Sequence, residues 1–239
     1  MPRRFCFLVL LLCYSALNFA DTPARVLNIG YYEFHPYSYT NADGQARGSG
    51  LDLIRRLAKQ AGYKTHFRAY PGPRLYSGLI DGSIDVWFGA SGKPELAQHT
   101  IESRHHFGFV HLNLYYRRGQ PAPKLPHDLK NARMIVISGY SYWNEVNDWL
   151  DDPVLAITRH RTSSHTSALA MLQRGRGDFL LNYERPVQHA QVEMHTGELP
   201  HLTLQRLALR LIISRNAANA EGLRDSLDLA FEQMPASAF

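Results

Sequence analysis

YKTHFRAYPGPRLYSGLIDGSIDVWFGAS, residues 63–91, decides the reading of this 239-residue chain. Residues 64–70 alternate and are rich in aromatic and β-compatible side chains, Pro71-Gly72-Pro73 interrupts them, and residues 74–80 carry apolar side chains at helical spacing. The pattern predicts strand, sharp turn and helix. Gly82 is placed to stop the helix as a left-handed cap, and residues 84–88 form an apolar run of the length of a buried strand. The result is a βαβ unit. It puts Pro71, Gly72 and Arg74 at the carboxyl end of one strand and Gly89, Ala90 and Ser91 at that of another, the edge where open α/β sheets bind ligands.

Upstream, residues 26–32 read as a first strand, followed at once by Tyr32, Phe34, Tyr37 and Tyr39 and then by the turn Asn41-Ala42-Asp43-Gly44. A small cluster under a loop accounts for one or two such rings. Four together predict contact with a ligand or partner. Residues 51–61 form an amphipathic helix ended by Gly62. Gly48-Ser49-Gly50 before it lacks the third glycine and the short strand-to-helix turn of a dinucleotide fingerprint.

Downstream come a polar loop over 92–104, a strand over 107–116 and a candidate linker, Gln120-Pro121-Ala122-Pro123 with Pro126. A second α/β unit follows, with strands at 134–137, 154–157 and 178–183 and helices at 142–150 and 164–173. A strand at 207–214 and a helix at 223–233 close the chain. Leu-x-x-Gly-x-x-Asp occurs twice, over 79–85 and 172–178, each time where a helix gives way to a strand. Two copies flanking a proline linker predict two lobes on one plan.

Apolar residues at 45% and charged residues at 20% describe a globular protein. The net charge is +5, and Arg3 and Arg4 supply part of it. The remainder is too weak and scattered to argue for nucleic acid, and the groups Arg159-His160-Arg161 and Arg174-Gly175-Arg176 read as solvated surface. Arg3-Arg4, the apolar run 5–19 and Ala20 have the form of a secretory signal peptide over 1–20, which predicts a periplasmic product. Cys6 and Cys13 both lie inside it, so a mature chain would have no disulfide and no cysteine metal site.

The order of these features resembles the type 2 periplasmic solute-binding proteins of family 3, receptors for polar amino acids in ABC import. The likeness is carried by Pro36-Tyr37-Ser38-Tyr39, Gly50-Leu51-Asp52-Leu53, Leu57-Ala58-Lys59 with Gly62-Tyr63, Pro71-Gly72-Pro73-Arg74, both Leu-x-x-Gly-x-x-Asp copies and Asp128-Leu129-Lys130. It implies a two-lobed α/β fold with open mixed sheets and a hinge, lobe one over 21–117 and 207–239 and lobe two over 118–206. The crossings would fall near 118–122 and at Gln205-Arg206.

The resemblance also implies a site. Phe34 or Tyr37 would cover the ligand, and Gly89-Ala90-Ser91 would bind its carboxylate through main chain and hydroxyl. Those receptors place an arginine a few residues on, where this chain has Lys93-Pro94-Glu95. They place an ammonium-binding aspartate five residues after Asp178, where Tyr183 stands beside Glu184. An ordinary zwitterionic amino acid would leave charge unpaired, which is costly. Arg74 is the candidate replacement cation, against a surface arginine packed along its stem. Ser138-Gly139-Tyr140-Ser141-Tyr142 is a strand-to-helix turn whose N–H groups would favour an acceptor, against simple helix capping by Ser141.

The expectation is a monomeric receptor for a small polar molecule, serving an ABC permease or, alternatively, a membrane sensor. No cofactor or metal is expected. An enzyme on the same fold, similar to the cyclohexadienyl dehydratases, is the other alternative, with Glu184 as a general acid if desolvated. Gly139-Tyr140-Ser141-Tyr142-Trp143 lacks the second glycine of a hydrolase elbow. The histidines contain no H-E-x-x-H, and His105, His106 and His111 would alternate faces on a strand.

Overall fold

The computed structural model describes residues 24–235. The signal-peptide reading falls outside them. The chain forms β1 (Val26–Tyr31), β2 (Tyr39–Thr40), β3 (Ala46–Arg47), α1 (Ser49–Gln60), β4 (Lys64–Ala69), α2 (Gly72–Asp81), β5 (Val86–Ala90) and β6 (Thr100–Glu102). It continues with β7 (Phe109–Tyr116), β8 (Arg133–Ile137), α3 (Asn144–Asp151), β9 (Thr158–Thr162), α4 (His165–Gln173), β10 (Phe179–Tyr183), α5 (Glu184–Glu193), β11 (His201–Ser214) and α6 (Ala220–Glu232).

The main sheet runs β4-β1-β5-β11-β7-β10-β8-β9, with β6 also on β11. Parallel pairs stand at both ends, β4-β1-β5 and β10-β8-β9, and β11 runs antiparallel to both of its neighbours in the middle. The opening stretch folds as β4, α2 and β5, with β1 inserted between the two strands. Leu27 and Ile29 of β1 are buried, and α1 lays Leu53, Ile54, Leu57 and Ala58 against the same core. Each fully buried leucine contributes about 2 kcal/mol relative to exposure.

The two Leu-x-x-Gly-x-x-Asp copies do the same work. Asp85 accepts the Asn28 N–H at 2.8 Å and the Arg25 guanidinium at 2.7 Å, while its own N–H donates to the Asn28 carbonyl at 2.9 Å. Asp178 accepts the Arg133 N–H at 2.8 Å and its guanidinium at 2.8 Å, and its N–H donates to the Arg133 carbonyl at 2.8 Å. In each half the aspartate clips the start of one parallel strand to its neighbour.

Several boundaries differ from the sequence reading. The strand expected at 84–88 is β5, two residues later, because Ile84 donates its N–H back to Gly78 in the helix stop. The strand expected at 154–157 is β9. Val154 is 69% exposed and its N–H is held in a turn by Asp152, whereas the basic run 159–161 forms a charged edge strand paired only with β8. Helix α5 was hidden by Pro186, which sits in its first turn, where a proline costs little. The polar loop after β5 contains β6.

The crossing expected near 118–122 turns on where β7 belongs. β7 pairs with β10 and with residues 201–208 of β11, so it belongs to the sheet of the middle segment. Its inward residues Leu112 and Leu114 are buried there. We propose that the chain first crosses between the lobes over residues 103–108 and returns within β11, where pairing passes from β7 to β5 at Ala208 and Leu209.

Asp85→Ala leaves a buried main-chain donor and a guanidinium without their acceptor, so urea unfolding is expected to show a loss of about 2 kcal/mol. Asp178→Ala, at a more exposed position, should cost less.

Candidate functional site

The carboxyl ends of β1, β4, β8 and β9 face one another, and a cavity of about 570 Å³ lies between them. Glu33 and the Pro71-Gly72-Pro73 turn wall it from lobe one; Ser138, Tyr140 and His165 wall it from lobe two. At its edge the two main chains meet. A Cβ on Gly72 would lie 2.1 Å from the Gly139 carbonyl oxygen, and Gly139 has φ +79°, so both positions require glycine.

Rings from both lobes interleave behind this turn. Tyr32 lies 5.1 Å from Tyr140, Phe34 meets Tyr183 edge-on at 5.2 Å, and Tyr140 lies 5.9 Å from Tyr183. Burial pushes the Tyr32, Tyr140 and Tyr183 phenols well above their ordinary pKa, so all three stay neutral. The Tyr140 hydroxyl donates to the Glu33 carbonyl at 3.1 Å across the cleft. Asn182 Nδ2 faces His165 Nδ1 at 3.1 Å, which leaves the histidine hydrogen on Nε2, 3.3 Å from the Tyr140 hydroxyl. Burial holds His165 down to about 4, consistent with a neutral ring.

Lys93 meets the turn before α3. It is 4% exposed, and its Nζ donates to the Ser141 carbonyl at 2.5 Å and to Ser141 Oγ at 3.1 Å. The ammonium lies 3.9 Å from the Trp143 ring centroid and 5.8 Å from that of Tyr76. Among the described residues it forms no ion pair. Ser141 follows the wall residue Tyr140 in the chain, while Lys93 itself lines a smaller cavity of about 220 Å³ with Gly92, Leu96, Thr100 and Glu102. Trp143 Nε1 donates to the Ser91 carbonyl at 3.2 Å, a further link across the lobes.

The structure brings Phe34, Gly72, Ser138, Tyr140, Ser141 and Tyr183 together at the cleft. Other candidates stand elsewhere. Arg74 is exposed, without a side-chain hydrogen bond or ion pair among the described residues, because its place in the first turn of α2 faces solvent. Gly89 and Ala90 are buried in β5 opposite Arg210 and Leu209, and the Ser91 N–H donates to the Ala208 carbonyl, so β11 takes that one of the main-chain donors expected for a ligand. Tyr37 stacks on Phe34 at 5.7 Å, and Tyr39 stacks on His35 at 4.2 Å, outside the cavity. The Tyr142 hydroxyl points into the lobe-two core, within 3.3 Å of the Leu181 carbonyl. Glu184 is held by His111 at 2.7 Å and by Gln188 at 3.1 Å.

The turn before α3 has less to offer an anion than its sequence suggests. Ser138, Tyr140 and Tyr142 donate their N–H groups to Thr162, Ile137 and Asn147. Ser141 does not cap the helix; its hydroxyl faces Lys93. Lys93, Tyr76, Trp143 and His165, which the structure brings beside the cleft, are not among the candidates read from the sequence. The one available signal was a lysine standing where the resembling receptors place an arginine.

Burial brings Lys93 from its ordinary 10.5 down to about 7, with Glu95 pulling it back up. Between those values the unfolded chain holds a proton that the folded chain releases, so stability rises with pH, and below about 7 the full cost of the buried charge remains. Urea unfolding should therefore show stability rising between pH 7 and pH 9 by on the order of 1 kcal/mol per pH unit. Lys93→Met should lose that slope and be the more stable protein at pH 6.

The profile of bacterial extracellular solute-binding proteins, family 3, matches residues 27–238. No curated protein matches the chain. Among solved structures it is similar to a histidine kinase sensor domain that itself resembles periplasmic binding proteins (19% identity, TM-score 0.72, 87% of this chain and 90% of that one). It is similar to the substrate-binding protein of an amino acid ABC transporter (16%, 0.69, 89% and 94%). A third likeness is to an ancestral amino-acid-binding protein that is a precursor of cyclohexadienyl dehydratase (16%, 0.69, 87% and 88%). With the family profile spanning both lobes and the cleft between them, the chain belongs to the bacterial extracellular solute-binding proteins, family 3.

Proposed function

We propose that this protein is a periplasmic receptor that encloses a small organic anion between its lobes and delivers it to an ABC importer. The observation that carries the reading is Lys93, a buried amine that forms no ion pair among the described residues and is hydrogen-bonded to Ser141, the chain neighbour of the cavity-wall residue Tyr140. A ligand carboxylate offsets that unpaired charge, and the rings of Tyr32 and Tyr140 suit an apolar or aromatic body. No carboxylate lines the cavity apart from Glu33, which is held by Thr40, so nothing there favours a ligand ammonium. Release follows when the lobes part about residues 103–108 and β11.

A sensory role is the second reading, favoured by the likeness to a histidine kinase sensor domain. Both readings use the same cleft and differ only in the partner outside it. The dehydratase reading gains no support from Glu184, which is a third exposed and engaged by His111.

Thermal-shift screening of purified protein with a small-molecule library should return carboxylates with apolar or aromatic bodies, bound without turnover. Lys93→Met should weaken the best of them by about tenfold or more, as loss of a charged hydrogen bond does, while Arg74→Ala leaves it unchanged. Affinity should fall above pH 7 as Lys93 loses its proton. Hits that are cations, or equal affinity in Lys93→Met and the parent, would end the anion reading.

A further inference from the structure

Lobe two has a second concavity, at the end of its sheet away from the cleft. Tyr183 at the carboxyl end of β10 faces the cleft, so Gly177 and Asp178 at its amino end, Arg117 and Arg118 after β7, and the start of β11 gather at the opposite end. A cavity of about 430 Å³ lies there, lined by Arg117, Arg118, Gln173, Thr196, Gly197 and Leu199.

Its two guanidinium groups are fixed without being neutralised. Arg117 Nη1 donates to the Gly177 carbonyl at 2.7 Å, and Arg118 donates to the Glu198 carbonyl through Nε at 2.9 Å and Nη2 at 2.5 Å. Neither forms an ion pair among the described residues. The nearby carboxylate of Asp178 is taken by Arg133. Arg174 and Arg176 are exposed and form no ion pair among the described residues, and Gly175 between them packs beside Arg117, so they add positive charge at the rim. Beneath the cavity the Thr196 hydroxyl is buried with no hydrogen-bond partner. Main-chain carbonyls orient the forks, each keeps N–H groups to spare, and the one carboxylate that feels Arg117, Asp178, is already bonded by Arg133.

We propose that this cavity is a binding site for a small oxyanion, a phosphate or carboxylate group gripped by Arg117 and Arg118 with Gln173 at its edge. The site is separate from the interlobe cleft and does not depend on the ligand proposed there. A free molecule and an anionic lipid headgroup present the same chemistry to it.

Isothermal titration with inorganic phosphate, against sodium chloride of equal ionic strength, tests the proposal, alongside flotation with vesicles of phosphatidylglycerol or of neutral lipid. Saturable phosphate binding that Arg118→Glu abolishes, that Gln173→Glu weakens by about tenfold and that Lys93→Met leaves intact supports a free oxyanion as occupant. Binding to phosphatidylglycerol vesicles with the same dependence on Arg118 and Gln173 supports a lipid headgroup. Gln173 is exposed, so its variant keeps the test valid should Arg118→Glu fail to fold. No binding of either kind, or binding indifferent to both variants, overturns the site. Phosphate binding lost only in Lys93→Met would assign the anion to the cleft instead.

Discussion

The hydrogen-bond ladder of β11 is the constraint on which the rest depends. Its first residues, 201–208, pair with β7, and Leu209 to Ile213 pair with β5. One strand therefore joins two half-sheets whose parallel strands end facing each other. Breaking it would expose main-chain donors and acceptors in both lobes at once, since such groups must be paired when buried. The cleft exists because the ladder continues while its partners change, with Thr203 and Gln205 marking an irregularity in the register on the lobe-two side.

Across that cleft the contacts are of a kind that separates cleanly. Tyr140 to Glu33, Lys93 to Ser141 and Trp143 to Ser91 each join a side chain to a main-chain carbonyl. Water can replace any of them when the lobes part, so each has a modest net worth. The ring contacts bury more area, but they meet edge-on or tilted and do not interlock. Lys93 works against the closed arrangement, because its charge loses water without meeting a carboxylate.

The fold was largely legible in the sequence because its signals are local. The turn at Pro71-Gly72-Pro73, the left-handed Gly82 (φ +84°) and the repeated aspartates are set by backbone chemistry within a few residues. Strand β9 was misplaced because its pattern of basic residues is an edge strategy, intelligible only once its neighbour is known. The site was less legible for the same reason. Whether a lysine is buried, and against which ring, depends on pairing between segments 48 or more residues apart, as Lys93 and Ser141 show. Arg74 looked better placed by order along the chain. A helix turns through about 100° per residue, so its neighbour Tyr76 is buried while Arg74 faces water.

The meeting of Gly72 with Gly139 has a mechanical consequence. In the proposed hinge motion, two bare backbones touching at the rim would act as a hard stop, which no rotamer adjustment can move and which would limit how far the halves swing together. The smallest gap the protein can form is thus set by peptide geometry, while the rings and polar groups within decide only what fits inside it.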